Sequence, residues 1–430
     1  MQKSKASGVE DAADTNKRPK TLHEDSKEAE MSKLEFFAGA RKGAKQWQED
    51  SFFVFASATN KVFVGGVFDG HGGYNGLVAS NTAREQALVY FEKNKFDCEK
   101  WTIEEWKKEL KGLFDLLHNT IRDKFLNDTS TDLSKATGRR VVDDKGIVRT
   151  PTADPVHGGT TASLVCMVRN SDGSVDLITA NVGDSTCLIS PKGGGGNYQF
   201  LTVDHGPESK EEFMRVKVLD DKAYPQKLLF VYDKTSVFRK YECPPVFLED
   251  GTKDPTFVTN PWGNGLHPTN VRYEPAVYAV TPRLVTKDST CIAMTRALGD
   301  FYAHQFGLCC DPSITVKTFP SSATGGGAPT DWTVYVASDG VWDCWKFEDF
   351  TAYCNKLLET KKIADMGDIV LTESISKAIT NFGAKNFDDA SIVVFPLSTS
   401  VPSSSSLASE SPRPEDTRMT DKDEKADNPS

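Results

Sequence analysis

No run of apolar residues in this 430-residue sequence approaches the roughly 18 that a membrane-spanning helix needs. The first segment, MQKSKASGVEDAADTNKRPK, also lacks the apolar core of a secretory signal. Basic residues (51) are fewer than acidic residues (61), which gives a formal net charge of −10. We therefore expect no basic surface for nucleic acid or anionic lipid. We therefore predict a protein that binds neither nucleic acid nor membrane.

Paired cysteine motifs are absent as well. The nine cysteines include no CxxC pair, and most lie within apolar runs such as ASLVCMV. An odd number of scattered cysteines argues against both a disulfide framework and a zinc site. We expect reduced core thiols, as in a cytoplasmic or nuclear protein.

Large apolar side chains are nearly missing from both ends of the chain, residues 1–32 and 398–430. Such segments cannot bury enough apolar surface to offset the entropy of ordering, so both are predicted to be disordered. Residues 33–397 are predicted to form one domain, and we expect a monomer.

Short apolar runs between these ends are typical of strands, and the turn sequences NSDG and KGGGGN predict hairpins. Helical patterns place Ala79, Ala83 and Ala87 on one ridge, cover residues 101–126, and mark a later face with Ile375, Ile379 and Phe382. This order predicts an α+β fold with antiparallel sheets and helices outside them. The predicted strands are 51–57, 61–68, 161–170, 175–183, 187–190, 332–338 and 390–397.

Acidic residues stand at the ends of several of these strands. Asp69, Asp184 and Asp339 follow apolar runs, whereas the pairs Glu49–Asp50 and Asp388–Asp389 precede them. One such residue is usually a turn former. Several carboxylates at one sheet edge would repel each other unless a cation compensated, and oxygen ligands favour Mg²⁺ or Mn²⁺ over zinc.

The stretch GGVFDGHGG, residues 65–73, combines one such aspartate with a histidine and five glycines. Asp69 could bridge two cations, and the glycines would leave room for metal, water and phosphate. His71 suits a general acid beside a leaving oxygen, although a hydrogen-bonding role in the loop is an equal alternative.

A more specific pattern comes from seven segments that occur in order. Together they resemble the metal-dependent type-2C (PPM) serine/threonine protein phosphatases, over roughly residues 36–395. The resemblance implies a central antiparallel β-sandwich with helices on both outer faces and a dinuclear Mg²⁺ or Mn²⁺ site at one end. The segments are FDGHGG (68–73), GGTTAS (158–163), ANVGDS (180–185), LTVDHGP (201–207), TRALGDF (295–301), ASDGVWD (337–343) and FDDASIVV (387–394).

The resemblance also implies roles for individual residues. Asp69 would bridge the two metals, and the Gly70 carbonyl would be a further ligand. Asp339 and Asp388 would bind the other metal, with Asp389 as an alternative to Asp388. The remaining implied assignments are Glu49, with Asp50, as a ligand through water; Asp184, with Asp339, as a ligand of a third, weaker metal; Asp343 as an acidic neighbour; and His71 as the general acid.

Two features depart from the family pattern. The family often has an arginine that grips the phosphate four residues before the Glu49 position, where this chain has Lys45, a point charge instead of a fork. Arg41 could reach in instead. The flap interval, at about 215–290, is also enlarged, and it could select substrates or be a plain surface insertion.

The resemblance implies hydrolysis of phosphoserine and phosphothreonine in protein substrates, by a metal-bridging hydroxide with His71 as acid. A non-enzymatic alternative is a pseudophosphatase-like binding or regulatory module of the same fold, which Lys45 alone favours. A two-metal nuclease or phosphodiesterase is disfavoured by the acidic composition.

Overall fold

The computed structural model describes residues 34–127, 139–282, 290–321 and 331–399. The predicted disorder of residues 1–32 and of the tail after Thr399 lies outside the described residues. The last strand extends to Ser398, just past the predicted domain boundary.

The described residues form eighteen strands and seven α-helices, which are numbered in chain order. Strands β1 to β9 are Phe37–Arg41, Ser51–Ala56, Val62–Phe68, Gly70–His71, Val141–Val142, Val148–Arg149, Gly159–Thr160, Ala162–Arg169 and Val175–Val182. Strands β10 to β18 are Thr186–Pro191, Gln199–Phe200, Leu229–Tyr232, Val277–Val280, Cys291–Ile292, Leu298–Gly299, Ser313–Phe319, Asp331–Ala337 and Ala390–Ser398. Helices α1 to α7 are Tyr74–Lys93, Ile103–Asn127, Lys210–Lys217, Pro255–Thr259, Asp339–Trp342, Phe347–Leu358 and Ile363–Phe382.

Two five-stranded antiparallel sheets form the centre of the fold. One has the strand order β1-β18-β17-β10-β11, and the other β16-β9-β8-β3-β2. Side chains such as Val67 and Val165 of the second sheet pack against Val336 and Phe395 of the first in one buried cluster. The predicted antiparallel sandwich is therefore confirmed.

Helices cover both outer faces, as predicted. On one face α1 and α2 pack on the sheet that contains β3, and Ala79, Ala83 and Ala87 are fully buried there. These small side chains let α1 approach the sheet closely. The other face is covered by α5, α6 and α7. Within α7, Ile375 packs on this core, but Ile379 is exposed, so the predicted apolar face is narrower than expected.

The glycines of β3 serve packing and not the clearance expected from the sequence. A Cβ atom on Gly65 would lie 2.8 Å from Val393 Cγ1 in the opposite sheet, and one on Gly66 would lie 2.4 Å from the Phe53 ring. Both are tighter than van der Waals contact allows. These two glycines therefore let the sandwich and the neighbouring aromatic ring close on β3.

The described part of residues 215–290 is folded. Strands β12, β13 and β14 form a separate sheet, and Phe230, Val246 and Ala279 belong to an apolar cluster beneath it. At its border, the buried Glu212 carboxylate accepts hydrogen bonds from Arg296 Nη2 (2.6 Å) and Arg215 Nε (2.8 Å). Burial opposes the charge of Glu212, but the two arginines outweigh it and lower the pKa to about 2. This ion-pair network ties the flap region to the TRALGDF segment.

All nine cysteines are unpaired thiols, and six of them are buried. This matches the expectation of core thiols. Within the described ranges, no helix is both long and apolar enough to cross a bilayer.

Candidate active site

The pairing of the strands brings the acidic strand ends to one edge of the sandwich. β3 ends immediately before Asp69, and β2 begins immediately after Asp50. In the other sheet, β17 ends two residues before Asp339, and β18 begins two residues after Asp388. Since both strand pairs are antiparallel, the end of one strand lies beside the start of its neighbour.

These carboxylates are close enough to raise each other's pKa. Burial raises the pKa of Asp69 well above its usual range, and the charges of Asp50, Asp339 and Asp388 raise it further. The pKa of Asp339 is raised by burial and by Asp388, while a hydrogen bond with Asp69 lowers it. The site is therefore a concentration of negative charge that a bound cation would relieve.

Unpartnered oxygen atoms test whether a divalent cation fits. The Oδ1 atoms of Asp50, Asp184 and Asp339 are buried and have no hydrogen-bond partner. Carboxylate oxygens are the ligands that Mg²⁺ and Mn²⁺ take, so the donor set fits such ions. Among the residues that the structure describes, no three His, Cys, Asp or Glu side chains yet converge as a ready-made metal site. The carboxylates therefore lie in one region, but no three of the described side chains are arranged to bind a single metal ion.

The adjacent residues Asp388 and Asp389 make different contacts. Asp389 uses its carboxylate within the protein, accepting from Gly43 N at 2.6 Å and Glu49 N at 2.7 Å. Asp388 has a partly exposed side chain that lines the cavity described below. This supports Asp388 as the ligand position and gives Asp389 the task of holding the loop before β2. Asp50 accepts from Ser338 Oγ at 2.7 Å, which joins this loop to the start of α5.

Glu49 is buried, and its Oε2 atom accepts from Gly73 N at 3.0 Å, so it braces the start of α1. Burial raises the pKa of Glu49, and Lys45 partly offsets the effect. Gly70 lies against the same loop, because a Cβ there would be 2.5 Å from the Glu49 carbonyl oxygen. Both predicted positions are therefore at the site.

Lys45 lies among the carboxylates. Its Nζ atom is 2.5 Å from Asp388 Oδ1. Burial acts against its charge, but Asp388, Asp69 and Glu49 outweigh burial and raise the pKa of Lys45 above its usual value. Arg41, the alternative phosphate ligand, is paired with Asp368 on α7. The structure thus brings Lys45 to the cluster, and not Arg41.

Asp184 follows β9 and lies beside Asp339. Burial raises its pKa well above the usual range, and Asp339 and Asp204 add to the effect. Asp343, whose pKa is raised by burial and by Asp339, pairs with Arg272 of the flap region at 3.9 Å. Asp184, Asp339, Asp343 and Arg272 line a cavity of about 500 Å³ between the flap and the sandwich edge.

His71 lies on the short strand β4, and its Nε2 atom is 2.6 Å from Asp300 Oδ2. Burial disfavours the imidazolium, but the charge and hydrogen bond of Asp300 outweigh it and raise the pKa of His71. Asp300 was missed as a site residue, although it stands in the TRALGDF segment. Nothing local in that segment indicates that it meets a histidine 229 positions away.

One cavity of about 390 Å³ is lined by five of the predicted site residues, whereas Glu49, Gly70 and Asp184 are not part of its wall. Its size falls within the usual range of ligand pockets. Cys291 and Met294, which follow the flap, form part of its wall. The predicted site residues that line it are Lys45, Asp69, His71, Asp339 and Asp388.

Part of the chain is similar to a known protein family. The family model of protein phosphatase 2C matches residues 34–231. A curated relative, probable protein phosphatase 2C 66 of Oryza sativa subsp. japonica, is 23% identical over 318 residues, which is 70% of this chain. The chain spans about half (48%) of the length of that relative.

Solved structures also align with most of the chain. A sex determining protein of C. elegans has a TM-score of 0.47 and 16% identity, covering 85% of this chain and 65% of that one. Serine-threonine phosphatase 2C of Toxoplasma gondii has a TM-score of 0.46 and 16% identity, covering 84% and 94%.

Proposed function

We propose that this chain, whose residues 34–231 match the family model of protein phosphatase 2C, is a metal-dependent protein serine/threonine phosphatase of that family. The observation that carries the proposal is the gathering of Asp69, Asp339 and Asp388 at one sandwich edge, in one cavity with Lys45 and His71. Its substrates would be proteins that carry phosphoserine or phosphothreonine.

Two Mg²⁺ or Mn²⁺ ions would be held by Asp69, the Gly70 carbonyl, Asp339 and Asp388, with Glu49 acting through water. A third, weaker ion would bind at Asp184 together with Asp339. When bound, such ions make water a nucleophile near neutral pH and neutralise phosphoryl charge. The clustered, mutually repelling carboxylates described above support this assignment.

The side chains of this protein supply the remaining steps. Lys45, already at the cavity wall, would attract the phosphoryl oxygens as a point charge. His71 would donate a proton to the seryl or threonyl oxygen as the P–O bond breaks. A monomeric state and a cytoplasmic or nuclear location stay predictions.

A second candidate is a binding module that has kept the fold without turnover. The contact between Lys45 and Asp388 favours it, because an internal ammonium group already compensates one of the carboxylates. Such a module would bind a phosphopeptide and release no phosphate.

Phosphate release from a phosphothreonine peptide separates the two candidates. We expect turnover with Mn²⁺ or Mg²⁺ that falls by at least about 100-fold when the metal is chelated and returns when it is restored. Peptide binding should be followed in parallel by fluorescence anisotropy. Binding without phosphate release in the presence of either metal would establish the second candidate and exclude the phosphatase.

Replacing Lys45 by arginine tests the phosphate-binding assignment. A guanidinium group can form two parallel hydrogen bonds to a phosphoryl group, so we expect KM and the inhibition constant of inorganic phosphate to fall by about 3- to 10-fold. The exposed neighbour Lys42, changed to arginine, is the matched control. If Lys45→Arg leaves both constants at the wild-type values, Lys45 does not bind the phosphate.

A further inference from the structure

Asp300 reaches His71 through a small three-stranded sheet with the order β15-β7-β4. Within it, Gly299 pairs with Gly159, and Gly159 pairs with His71. Asp300 is the next residue after β15, so the sheet register places its side chain beside the imidazole. The resulting Nε2–Oδ2 distance of 2.6 Å is that of a strong, charge-assisted hydrogen bond.

Asp300 is held firmly in this position. Its side chain is only 2% exposed. Its backbone N–H donates to Gly158 O at 2.9 Å, and its carbonyl accepts from Ala303 N at 2.8 Å. Its φ angle of 47° lies in the left-handed region that residues other than glycine rarely adopt. A strained backbone around a buried carboxylate indicates that the surroundings determine this conformation.

The contact also distinguishes the two ring nitrogens of His71. A carboxylate oxygen can only accept a hydrogen bond, so the hydrogen in this contact is on Nε2. The other nitrogen, Nδ1, is buried and has no hydrogen-bond partner. Both residues line the cavity that contains Lys45 and the clustered carboxylates. Nδ1 is therefore the ring nitrogen without a protein partner, and it would meet a leaving oxygen once substrate binding opens this buried side of the ring.

We propose that Asp300 is the positioning residue of His71: it holds Nε2–H and so presents Nδ1–H to the leaving oxygen. This inference rests on the proposed phosphatase function. In the step concerned, a water oxygen bonds to phosphorus, and the P–O bond to the seryl or threonyl oxygen breaks. That oxygen keeps the electron pair and takes the Nδ1 proton. His71 becomes neutral and keeps its Nε2–H bond to Asp300, and the proton of the attacking water passes to solvent.

The test compares two leaving groups in the Asp300→Asn variant. A threonyl oxygen needs a proton in order to leave, whereas p-nitrophenolate leaves as a stable anion. We expect kcat for a phosphothreonine peptide to fall by roughly 30-fold or more, with KM nearly unchanged. The loss for p-nitrophenyl phosphate should be about 3-fold or less. The exposed Asp311, changed to asparagine, is the control and should behave as wild type with both substrates.

A double variant tests whether Asp300 acts through His71. In a His71→Ala background, Asp300→Asn should cause no further loss of peptide turnover, because residues that act as a unit are not additive. Equal losses on both substrates, or a full additional loss in the double variant, would overturn the proposal. Failure of the wild type to hydrolyse either substrate would instead count against the phosphatase function itself.

Nitrogen-15 NMR of the His71 ring in the wild-type protein gives a readout that needs neither turnover nor a variant. We expect a hydrogen on Nε2 that is protected from exchange. A ring with Nε2 unprotonated would overturn the proposal, even if the Asp300 variants fail to fold.

Discussion

Replacing Asp339 by asparagine is expected to lower phosphate release from a phosphothreonine peptide by about 1,000-fold or more. The change removes a charge from the cluster, in which Asp339 interacts with Asp69, Asp388 and Asp184. A neutral amide is a poorer ligand for a hard cation, so the Mn²⁺ concentration needed for any residual activity should rise. Steady-state kinetics over a Mn²⁺ series measure both effects.

The same substitution should have the opposite effect on stability. In chelator, Asp339→Asn removes repulsion within a buried group of carboxylates, so the metal-free variant should melt at a higher temperature than metal-free wild type. Calorimetry of both proteins checks this. Asp368→Asn, at an exposed aspartate, is the control for activity. Full activity in Asp339→Asn would contradict the proposed metal-dependent chemistry.

Gly340→Ala is expected to abolish activity by a different route. A Cβ at Gly340 would lie 1.8 Å from the Asp389 carbonyl oxygen and 3.3 Å from Ala390 Cα. The backbone that carries Asp388 must therefore move away from the start of α5, taking this side chain away from Asp339 and Lys45. We expect phosphate release to fall by at least about 100-fold and the free energy of unfolding to fall by roughly 3 kcal/mol.

Denaturant unfolding distinguishes this variant from Asp339→Asn, because only Gly340→Ala should lose stability. Gly112→Ala is the matched control, since nothing lies within 4 Å of a Cβ at that position in α2. It should retain activity and gain about 0.5–1 kcal/mol from the higher helix propensity of alanine. Wild-type activity and stability in Gly340→Ala would show that the loop can adjust, contrary to the contacts described here.

Much of the fold was predictable because its signals are local. Alternating and continuous apolar runs indicated the main strands, and the spacing of Ala79, Ala83 and Ala87 indicated the face of α1 that meets the sheet. The acidic strand ends could be recognised for the same reason. That Asp69 and Asp339 meet was implied only by the family resemblance, because their meeting depends on the pairing of strands that are far apart in the chain.

The sequence by itself indicated seven of the ten strands of the two central sheets, all except β1, β11 and β16, and it indicated the acidic positions at their ends. Only the tertiary structure decided which of two adjacent aspartates faces the cavity: Asp388 does, while Asp389 binds backbone N–H groups. It also decided that Lys45 lies at the carboxylates and that Asp300 holds His71. The physical reason is that side-chain chemistry and local periodicity are properties of neighbouring residues. Contacts between distant residues depend instead on sheet register and packing, which exist only once the chain has folded.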